Sequence, residues 1–247
     1  MTTAESRTEL TRTVLISGAN RGIGRAIAER LLAEGHRLSL GVRNPQALRG
    51  TPLDPQGSGQ DPRRLLLHPY EASDPASAAA WVQGSTAQFG GFDSVIHCAG
   101  LFSRAPLLFA DGQEAEIERL WRVNLMGPWW LTRAAWPQLA AHGQGRIVVL
   151  VSMSGKRSKG RLAAYTASKF ALMGLCQTMR NEGWEQGIRV SAICPGWVNT
   201  AMASAVTAIP REAMSQPQDL ASLTAELLRL PNSCVPFELA VNCNLET

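Results

Sequence analysis

The chain has 247 residues, 45% of them hydrophobic and 18% charged, which can bury the core of one large α/β domain or two small ones. The formal net charge is +4, but lysine and arginine are scattered without long runs, which argues against nucleic acid as a partner. No stretch approaches the length of a membrane span, and residues 1–12 lack the apolar core of a secretory signal, so we expect a cytoplasmic protein that does not enter a membrane.

The cysteines are odd in number and widely spaced, with no Cys-x-x-Cys pair and no histidine cluster at ligand spacing. This pattern predicts free thiols in a reducing compartment and no structural metal. The five are Cys98, Cys176, Cys194, Cys234 and Cys243.

The chain begins with a strand pattern, a glycine-rich turn and a helix pattern. Residues 13–16 are β-branched or aliphatic, and residues 25–34 have helical composition. Between them the spacing is Gly-x-x-x-Gly-x-Gly. Glycines let a backbone bend tightly and approach a pyrophosphate, whose charge the free N–H groups of a helix start can bind. The turn predicts a dinucleotide site; the alternative is a tight corner between strand and helix.

A second strand pattern, residues 36–42, ends just before Arg43. In a dinucleotide site an acidic residue there binds the ribose 2′-hydroxyl, whereas a basic residue accommodates a 2′-phosphate. Arg21 inside the glycine turn adds a second positive charge. The pair predicts NADP rather than NAD, against the alternative of two solvated surface arginines.

The next part of the chain returns twice to strand patterns. Residues 46–64 are rich in Pro, Gly, Asp and Gln, which is typical of a surface loop. Residues 65–69 form a third strand pattern, Asp74-Pro75 predicts the start of a helix over 76–89, and residues 92–97 form a fourth strand pattern. Small residues follow that strand: Cys98, Ala99 and Gly100.

Residues 113–139 have helical composition, and Gly127-Pro128 predicts a kink in that helix. Asn124 lies within it, together with four tryptophans. Tryptophans at this spacing are more typical of core or interface packing than of substrate contacts. A protein-interaction role through Trp129 and Trp130 remains an alternative. The four are Trp121, Trp129, Trp130 and Trp136.

A fifth strand pattern, residues 146–151, ends at Ser152, and a helix pattern covers residues 164–182. Tyr165 and Lys169 stand at i and i+4 on one face of that helix. The Lys169 ammonium near the phenol would lower the pKa of Tyr165 from its usual value of ~10. A phenol that exchanges protons at neutral pH requires a shift in this direction. The alternative is an ordinary solvated helix face.

The remaining patterns complete one architecture. Residues 188–194 form a sixth strand pattern, residues 200–216 are irregular enough for a lid, residues 217–230 are helical and residues 237–241 form a last strand. Strands alternate with helices and no linker divides them. We therefore expect residues 1–247 to form a single α/β domain, a Rossmann-like doubly wound parallel sheet with helices on both faces.

These motifs together resemble the short-chain dehydrogenase/reductase family, specifically its single-domain branch, over residues 13 to at least 219. The resemblance implies an NADP(H)-dependent oxidoreductase that transfers a hydride between nicotinamide and a carbonyl or alcohol, as a homo-oligomer, either dimer or tetramer. It implies that Tyr165 is the general acid or base, that Lys169 holds the nicotinamide ribose, that Ser152 binds the substrate oxygen and that Asn124 fixes a water. Ser152 precedes Tyr165 by the spacing usual in the family.

The resemblance also implies the cofactor contacts by position. They are Ser17, Gly18, Asn20, Arg21, Gly22, Ile23, Gly24, Arg43, Glu71, Ala72, Cys98, Ala99, Gly100, Tyr165, Lys169, Pro195, Gly196, Val198 and Thr200.

Three features depart from the family pattern. Ser17 replaces the usual threonine, His97-Cys98 replaces Asn-Asn and removes an amide that ties neighbouring strands, and residues 241–247 lack the usual Gly-Gly ending. The last departure leaves the oligomeric state open. A non-catalytic NADP-binding regulator is the alternative function.

The substrate stays open. We expect residues 155–162 and 201–214 to line its pocket. The first segment carries four cations, which suit either an anionic substrate or a solvated loop. They are Lys156, Arg157, Lys159 and Arg161.

Overall fold

The computed structural model describes residues 11–57, 61, 63–204 and 206–241. Within these residues, seven strands form one parallel sheet in the order β3-β2-β1-β4-β5-β6-β7. The order reverses between β1 and β4, which is the switch point where open α/β sheets bind ligands. The strands are β1 Thr13–Ser17, β2 Arg37–Val42, β3 Leu65–Pro69, β4 Ser94–His97, β5 Arg146–Leu150, β6 Arg189–Pro195 and β7 Glu238–Val241.

In the part of the chain that the structure describes, helices cover both faces of the sheet, which confirms the predicted doubly wound architecture. Helices α1 and α6 pack on one face around Ile27 and Leu220, and helices α2, α4 and α5 pack on the other around Trp81 and Leu131. The helices are α1 Gly22–Ala33, α2 Pro75–Phe89, α3 Glu114–Trp121, α4 Gly127–His142, α5 Ala163–Gly183 and α6 Pro217–Arg229. In the part of the chain described, none of them is both long and apolar enough to cross a bilayer.

Local signals set the helix ends. Asp74 accepts the Ala76 N–H at 2.9 Å, Pro75 occupies the first turn of α2, and Gly90 ends the helix in the left-handed region at φ 73°. The predicted start at Asp74-Pro75 is therefore confirmed.

The long helix predicted over residues 113–139 is interrupted, and the break differs from the expected kink at Gly127-Pro128. A π-helical turn, Arg122–Met126, separates α3 from α4. Pro128 lies in the first turn of α4 and lacks the N–H that an α-helix would bring to the Asn124 carbonyl, so the helix widens just before it.

Two other predicted segments are more ordered than their composition suggested. The segment 46–64 is not wholly a surface loop, because Leu48 and Leu53 are fully buried against the core. In the segment 200–216, Ala203, Ile209 and Met214 form a small apolar cluster with Trp197. Its role as a lid remains a prediction. The departures at residues 242–247 lie outside the described residues.

Candidate active site

The glycine turn joins β1 to α1 at the carboxyl edge of the sheet. Gly18 adopts φ +70°, and a Cβ there would lie 2.7 Å from the Ala99 nitrogen. A Cβ on Gly24 would lie 2.4 Å from the Gly18 oxygen. Both positions thus require glycine, because a side chain would push the turn away from the loop that follows β4.

A pocket lies over this turn and continues to the ends of β2, β3 and β4. Arg21 and Arg43 are exposed and both line it, and Arg119 from α3 adds a third cation. Of the expected cofactor residues, those that line this pocket are Gly18, Asn20, Arg21, Gly22, Ile23, Gly24, Arg43, Glu71, Ala72, Cys98, Ala99, Gly100 and Thr200. A glycine cradle with arginines beside it fits a phosphorylated dinucleotide.

Ser17 is expected among the cofactor contacts, but it is buried and does not line this pocket. Its hydroxyl accepts the N–H groups of Cys98 and Ala99 at 3.1 and 3.2 Å and lies 3.5 Å from the Ile96 carbonyl. Ser17 therefore ties β1 to the end of β4, because its side chain points into the sheet rather than toward the pocket.

At His97-Cys98 the asparagine amide usual in the family is absent, and a hydrogen bond of His97 links β4 to a neighbouring element instead. The His97 ring nitrogen Nε2 lies 3.0 Å from the Thr132 hydroxyl, which links β4 to α4. Complete burial lowers the pKa of His97 to about 3, so the ring is neutral. Burial also raises the pKa of Cys98 to about 12, so its thiol stays protonated. The four cysteines within the described residues are free thiols, and Cys243 lies outside them.

A second pocket adjoins the first. Ser152, Tyr165 and Lys169 line it, together with Pro195, Gly196 and Val198. The two pockets share six lining residues: Ile23, Cys98, Gly100, Leu101, Thr200 and Met202. The structure thus brings the expected proton-transfer groups to the wall of a cavity that opens onto the glycine turn.

Ser152 lies two residues after the last residue of β5, Leu150, and adopts φ 151°. Its side-chain oxygen accepts the Ser154 N–H at 3.0 Å and caps a 3-10 turn, Met153–Gly155. A positive φ at a residue with a Cβ costs on the order of 1–3 kcal/mol. The turn keeps this backbone because it aims the serine at the pocket rather than along the strand.

Tyr165 is buried in the first turn of α5, with the ring of Phe102 edge-on at 5.0 Å. Burial raises the pKa of Tyr165, and the Ser152 side chain acts in the opposite direction. Lys169 is also buried, which lowers its pKa to about 8. Its ammonium donates to the Leu150 carbonyl at 3.1 Å and lies 5.8 Å from the Tyr165 ring centroid.

The expectation that the Lys169 ammonium lowers the phenol pKa is therefore wrong for the protein by itself. Burial raises the phenol pKa by more than the Ser152 side chain lowers it, and the Lys169 ammonium is directed at a backbone carbonyl instead.

Asn124 lies in the π-helical turn and is almost completely buried. Its side chain accepts the Leu101 N–H at 2.8 Å and donates to the Leu101 carbonyl at 3.0 Å and the Ser168 hydroxyl at 3.1 Å. The Ser168 hydroxyl in turn donates to the Tyr165 carbonyl at 2.8 Å. Asn124 therefore does not line either pocket but joins the loop after β4 to the helix that carries Tyr165. Its role in holding a water remains a prediction.

Several lining residues escaped the sequence analysis. Phe102 lies two residues after Gly100 and lines the pocket of Tyr165. Arg119 stands four residues before Val123 on the same helical face, and these two residues line the cofactor pocket. Trp197 and Met202 lie in segments already expected near the site. The proximity of these residues in the sequence to expected site residues was a signal. The sequence alone, however, does not show which of their side chains point into a pocket.

A parallel sheet with a glycine turn at its switch point defines a dinucleotide-binding α/β protein. The family model described as short chain dehydrogenase matches residues 12–210. The chain belongs to this family.

Similar proteins include the agropine synthesis reductase of Rhizobium rhizogenes, 36% identical over 95% of this chain and 53% of the relative. The chain thus spans about half the length of this relative. Oxidoreductase UcpA of Escherichia coli (strain K12) is 31% identical over 88% of this chain and 79% of that protein.

Solved structures give the same fold. An alcohol dehydrogenase from the archaeon Thermococcus sibiricus, complexed with 5-hydroxy-NADP, superposes with a TM-score of 0.84 at 26% identity, covering 96% of this chain and 99% of that one. A metagenomic short-chain oxidoreductase in complex with NADP gives 0.80 at 30% identity, covering 96% and 100%.

Proposed function

We propose that this protein is an NADP(H)-dependent oxidoreductase that interconverts a carbonyl compound and an alcohol. The observation that carries the proposal is the position of Tyr165, in the wall of a pocket that shares lining residues with the pocket over the glycine turn. The names of similar proteins, a reductase and an alcohol dehydrogenase complexed with an NADP analogue, also support it.

The roles follow from the surroundings of each group. Tyr165 is a neutral phenol at pH 7, since its pKa is raised, and so it can donate a proton to the oxygen of a carbonyl that is being reduced. Ser152 donates a hydrogen bond to the same oxygen. Bound NADPH supplies the hydride that the substrate carbon receives. In the reverse direction Tyr165 must first lose its own proton, and its phenolate then accepts the proton of the alcohol.

Lys169 and Asn124 position the reacting groups. Lys169 lines the pocket of Tyr165 beside Gly100, a residue that lines both pockets, and its nitrogen lies 3.9 Å from where a Cβ on Gly100 would be. There it can hold the nicotinamide ribose. Asn124 fixes the Leu101 backbone and, through Ser168, the first turn of α5. A water relay at Asn124 completes the proton path.

The cofactor choice rests on Arg21 and Arg43. Both are exposed on the cofactor pocket, and no acidic residue stands at the end of β2. Arg43→Ala should weaken NADP binding about 10–100-fold, the worth of a charge-assisted hydrogen bond, and leave NAD binding unchanged. Arg49→Ala is the matched control, because Arg49 is exposed nearby but lies outside the pocket. Unchanged NADP affinity in Arg43→Ala would refute the preference.

The test of the activity is a screen of ketones, aldehydes and alcohols with NADPH or NADP, run in parallel with Tyr165→Phe. We expect turnover of some members, a loss of about 10²–10⁴-fold in kcat/KM in the variant, and NADPH affinity close to that of the wild type. Full activity in Tyr165→Phe would disprove the assigned role. Cofactor binding without any turnover would favour the non-catalytic regulator.

We further expect a homo-oligomer, either a dimer or a tetramer. Trp129 on α4 and Phe170 on α5 are 51% and 45% exposed, and large exposed apolar side chains are typical of interfaces between subunits. Light scattering on the purified protein distinguishes these states from a monomer.

A further inference from the structure

We propose that Phe102 is a positioning residue of the reaction: its ring holds the Tyr165 ring in place and shields the phenol from water. This inference rests on the proposed function and adds a residue to the group that transfers the proton.

Phe102 touches the side chain that it is proposed to position. Its ring lies edge-on to the Tyr165 ring, with the centroids 5.0 Å apart and the planes at 68°, an arrangement that the charge distribution of aromatic rings favours. Both residues line the same pocket. They also belong to one small apolar cluster with Ala105, Leu120 and Ala164. Phe102 therefore supplies part of the apolar surface that buries Tyr165.

The backbone on both sides of Phe102 is fixed by hydrogen bonds. The Leu101 N–H donates to the Asn124 side chain at 2.8 Å, and the Leu101 carbonyl accepts from it at 3.0 Å. Ser103 is buried, and its hydroxyl accepts the Ala105 N–H at 3.0 Å. A ring that stands between two fixed residues has little freedom to move away from its partner. Phe102 can therefore hold the ring that it touches.

The charged and titratable groups that face Tyr165 come from three elements. Lys169 lies one turn along α5, with its ammonium 5.8 Å from the ring centroid. Arg157 and Lys159 line the same pocket from the segment after β5, and Cys98 lines it from the loop after β4, whereas no Asp or Glu of the described residues does. Burial is nonetheless the main cause of the raised pKa of Tyr165, so its apolar neighbours decide the direction of that shift.

A fixed and shielded phenol serves the reduction in two ways. The hydride of NADPH goes to the carbonyl carbon while the phenol proton goes to the carbonyl oxygen, so the O–H must point at that oxygen when the hydride arrives. A phenol that water reaches would ionise at lower pH, and the phenolate has no proton to donate. Phe102 thus affects both the rate of reduction and the pH range in which it occurs.

A titration of Tyr165 tests the shielding without any turnover. The chain has two tyrosines, so in the Tyr70→Phe protein the tyrosinate absorbance reports Tyr165 alone. This parent is compared with the same protein carrying Phe102→Ala and with a control carrying Phe109→Ala. Phe109 lies in the same segment between β4 and α3, but it is 42% exposed and outside the pocket lining. Each protein is transferred rapidly from pH 7.5 to a series of alkaline pH values and read before it unfolds.

We expect tyrosinate to form at lower pH in Phe102→Ala, because water then reaches the phenol and the burial that raises the pKa of Tyr165 is reduced. The midpoint of the Phe109→Ala control should equal that of the parent. Phe102→Leu serves if circular dichroism shows that Phe102→Ala folds poorly, and its midpoint should shift in the same direction. An unchanged midpoint in the folded Phe102 variant would overturn the proposal, whatever the activity screen finds.

Kinetics test the positioning. With NADPH and the ketone that the screen finds most reactive, kcat/KM of Phe102→Ala should be about 3–10-fold below wild type at pH 7, the worth of an aromatic pair. It should also begin to fall at a lower pH than in the wild type, while Phe109→Ala keeps the wild-type profile. A residue with a purely structural role would lower kcat/KM by one factor at every pH. That result, or an unchanged kcat/KM, would overturn the role of Phe102, while loss of activity in Tyr165→Phe leaves the proposed function standing.

Discussion

Asn124→Asp changes one atom at the junction of three elements. In the wild type the amide nitrogen donates to the Leu101 carbonyl and the Ser168 hydroxyl, while the amide oxygen accepts the Leu101 N–H. An ionised carboxylate can still accept the Leu101 N–H, but it cannot donate to either partner of the amide nitrogen. One of its oxygens would also face the Leu101 carbonyl oxygen at about 3.0 Å, the distance at which Nδ2 now lies. Only 1% of Asn124 is exposed, so bulk solvent reaches too little of the new carboxylate to replace the lost hydrogen bonds.

The size of the effect is bounded by the cost of protonating the new carboxyl group. A buried carboxyl takes up a proton rather than remain charged, and this costs ~1.4 kcal/mol for each pH unit above an unfolded pKa of ~3.9. We therefore expect protonation to cost about 5 kcal/mol at pH 7.5, and the total loss there to be about 6 kcal/mol once the residual loss described next is added. When protonated, the group can donate only one of the two lost hydrogen bonds, which leaves a residual loss of about 1 kcal/mol.

The pH dependence has a definite sign. The folded-state pKa of the introduced carboxyl is raised above the unfolded value, so the folded state binds the proton more tightly. The destabilisation is therefore full above the raised folded pKa and disappears, apart from the residual loss, as pH falls toward ~4. At pH 5 it should be about 2–3 kcal/mol.

Urea denaturation at pH 7.5 and pH 5 measures this directly, as the difference from wild type at each pH. Asn181→Asp is the matched control: Asn181 is exposed on α5, and the same chemical change there should alter the free energy of unfolding by less than about 0.5 kcal/mol. A loss in Asn124→Asp that is small, or that does not depend on pH, would show that the Asn124 side chain is not the buried tie described above.

The remaining predictions concern Lys169 and Ser152. Burial lowers the pKa of Lys169 to about 8, below its usual 10.5. This charge therefore destabilises the cofactor-free fold by about 3 kcal/mol, an effect that is full below pH 8 and disappears as pH rises toward 10.5. Lys169→Met should therefore raise the free energy of unfolding at pH 7, less so at pH 9.5, while activity is lost; denaturant titrations at both pH values check this, and a destabilised variant at pH 7 would contradict it. Because Ser152 adopts φ 151°, Ser152→Gly should be about 1 kcal/mol more stable than Ser152→Ala although both lose the hydroxyl; equal melting temperatures would show that this backbone is not strained.

Features with local causes could be predicted from the sequence. The glycine turn, the Asp74-Pro75 helix start and the strand that ends at Ser152 depend on residues a few positions apart, and they appear in the structure as expected. The i, i+4 spacing likewise placed Tyr165 and Lys169 on one face of α5, and both line one pocket.

Features that depend on distant contacts could not be predicted in this way. The direction of the Lys169 ammonium is set by a carbonyl of β5, and the direction of the Ser17 hydroxyl by backbone groups after β4. The π-helical turn carries Asn124, whose side chain makes two hydrogen bonds to the backbone of the distant residue Leu101. In the basic segment between Ser152 and Tyr165, Arg157 lines the pocket of Tyr165 and Lys156 does not. No helical or strand periodicity predicts this difference, since the backbone there is irregular.

Transfer of deuterium tests the central claim most directly. The wild-type protein is supplied with NADPH that carries deuterium at both C4 positions and with the ketone that the screen finds most reactive, and the product is analysed by mass spectrometry. We expect an alcohol with one deuterium on the former carbonyl carbon, and no such product from Tyr165→Phe. An alcohol without deuterium, or the same labelled yield from Tyr165→Phe, would contradict the assignment of this pocket as the site of carbonyl reduction.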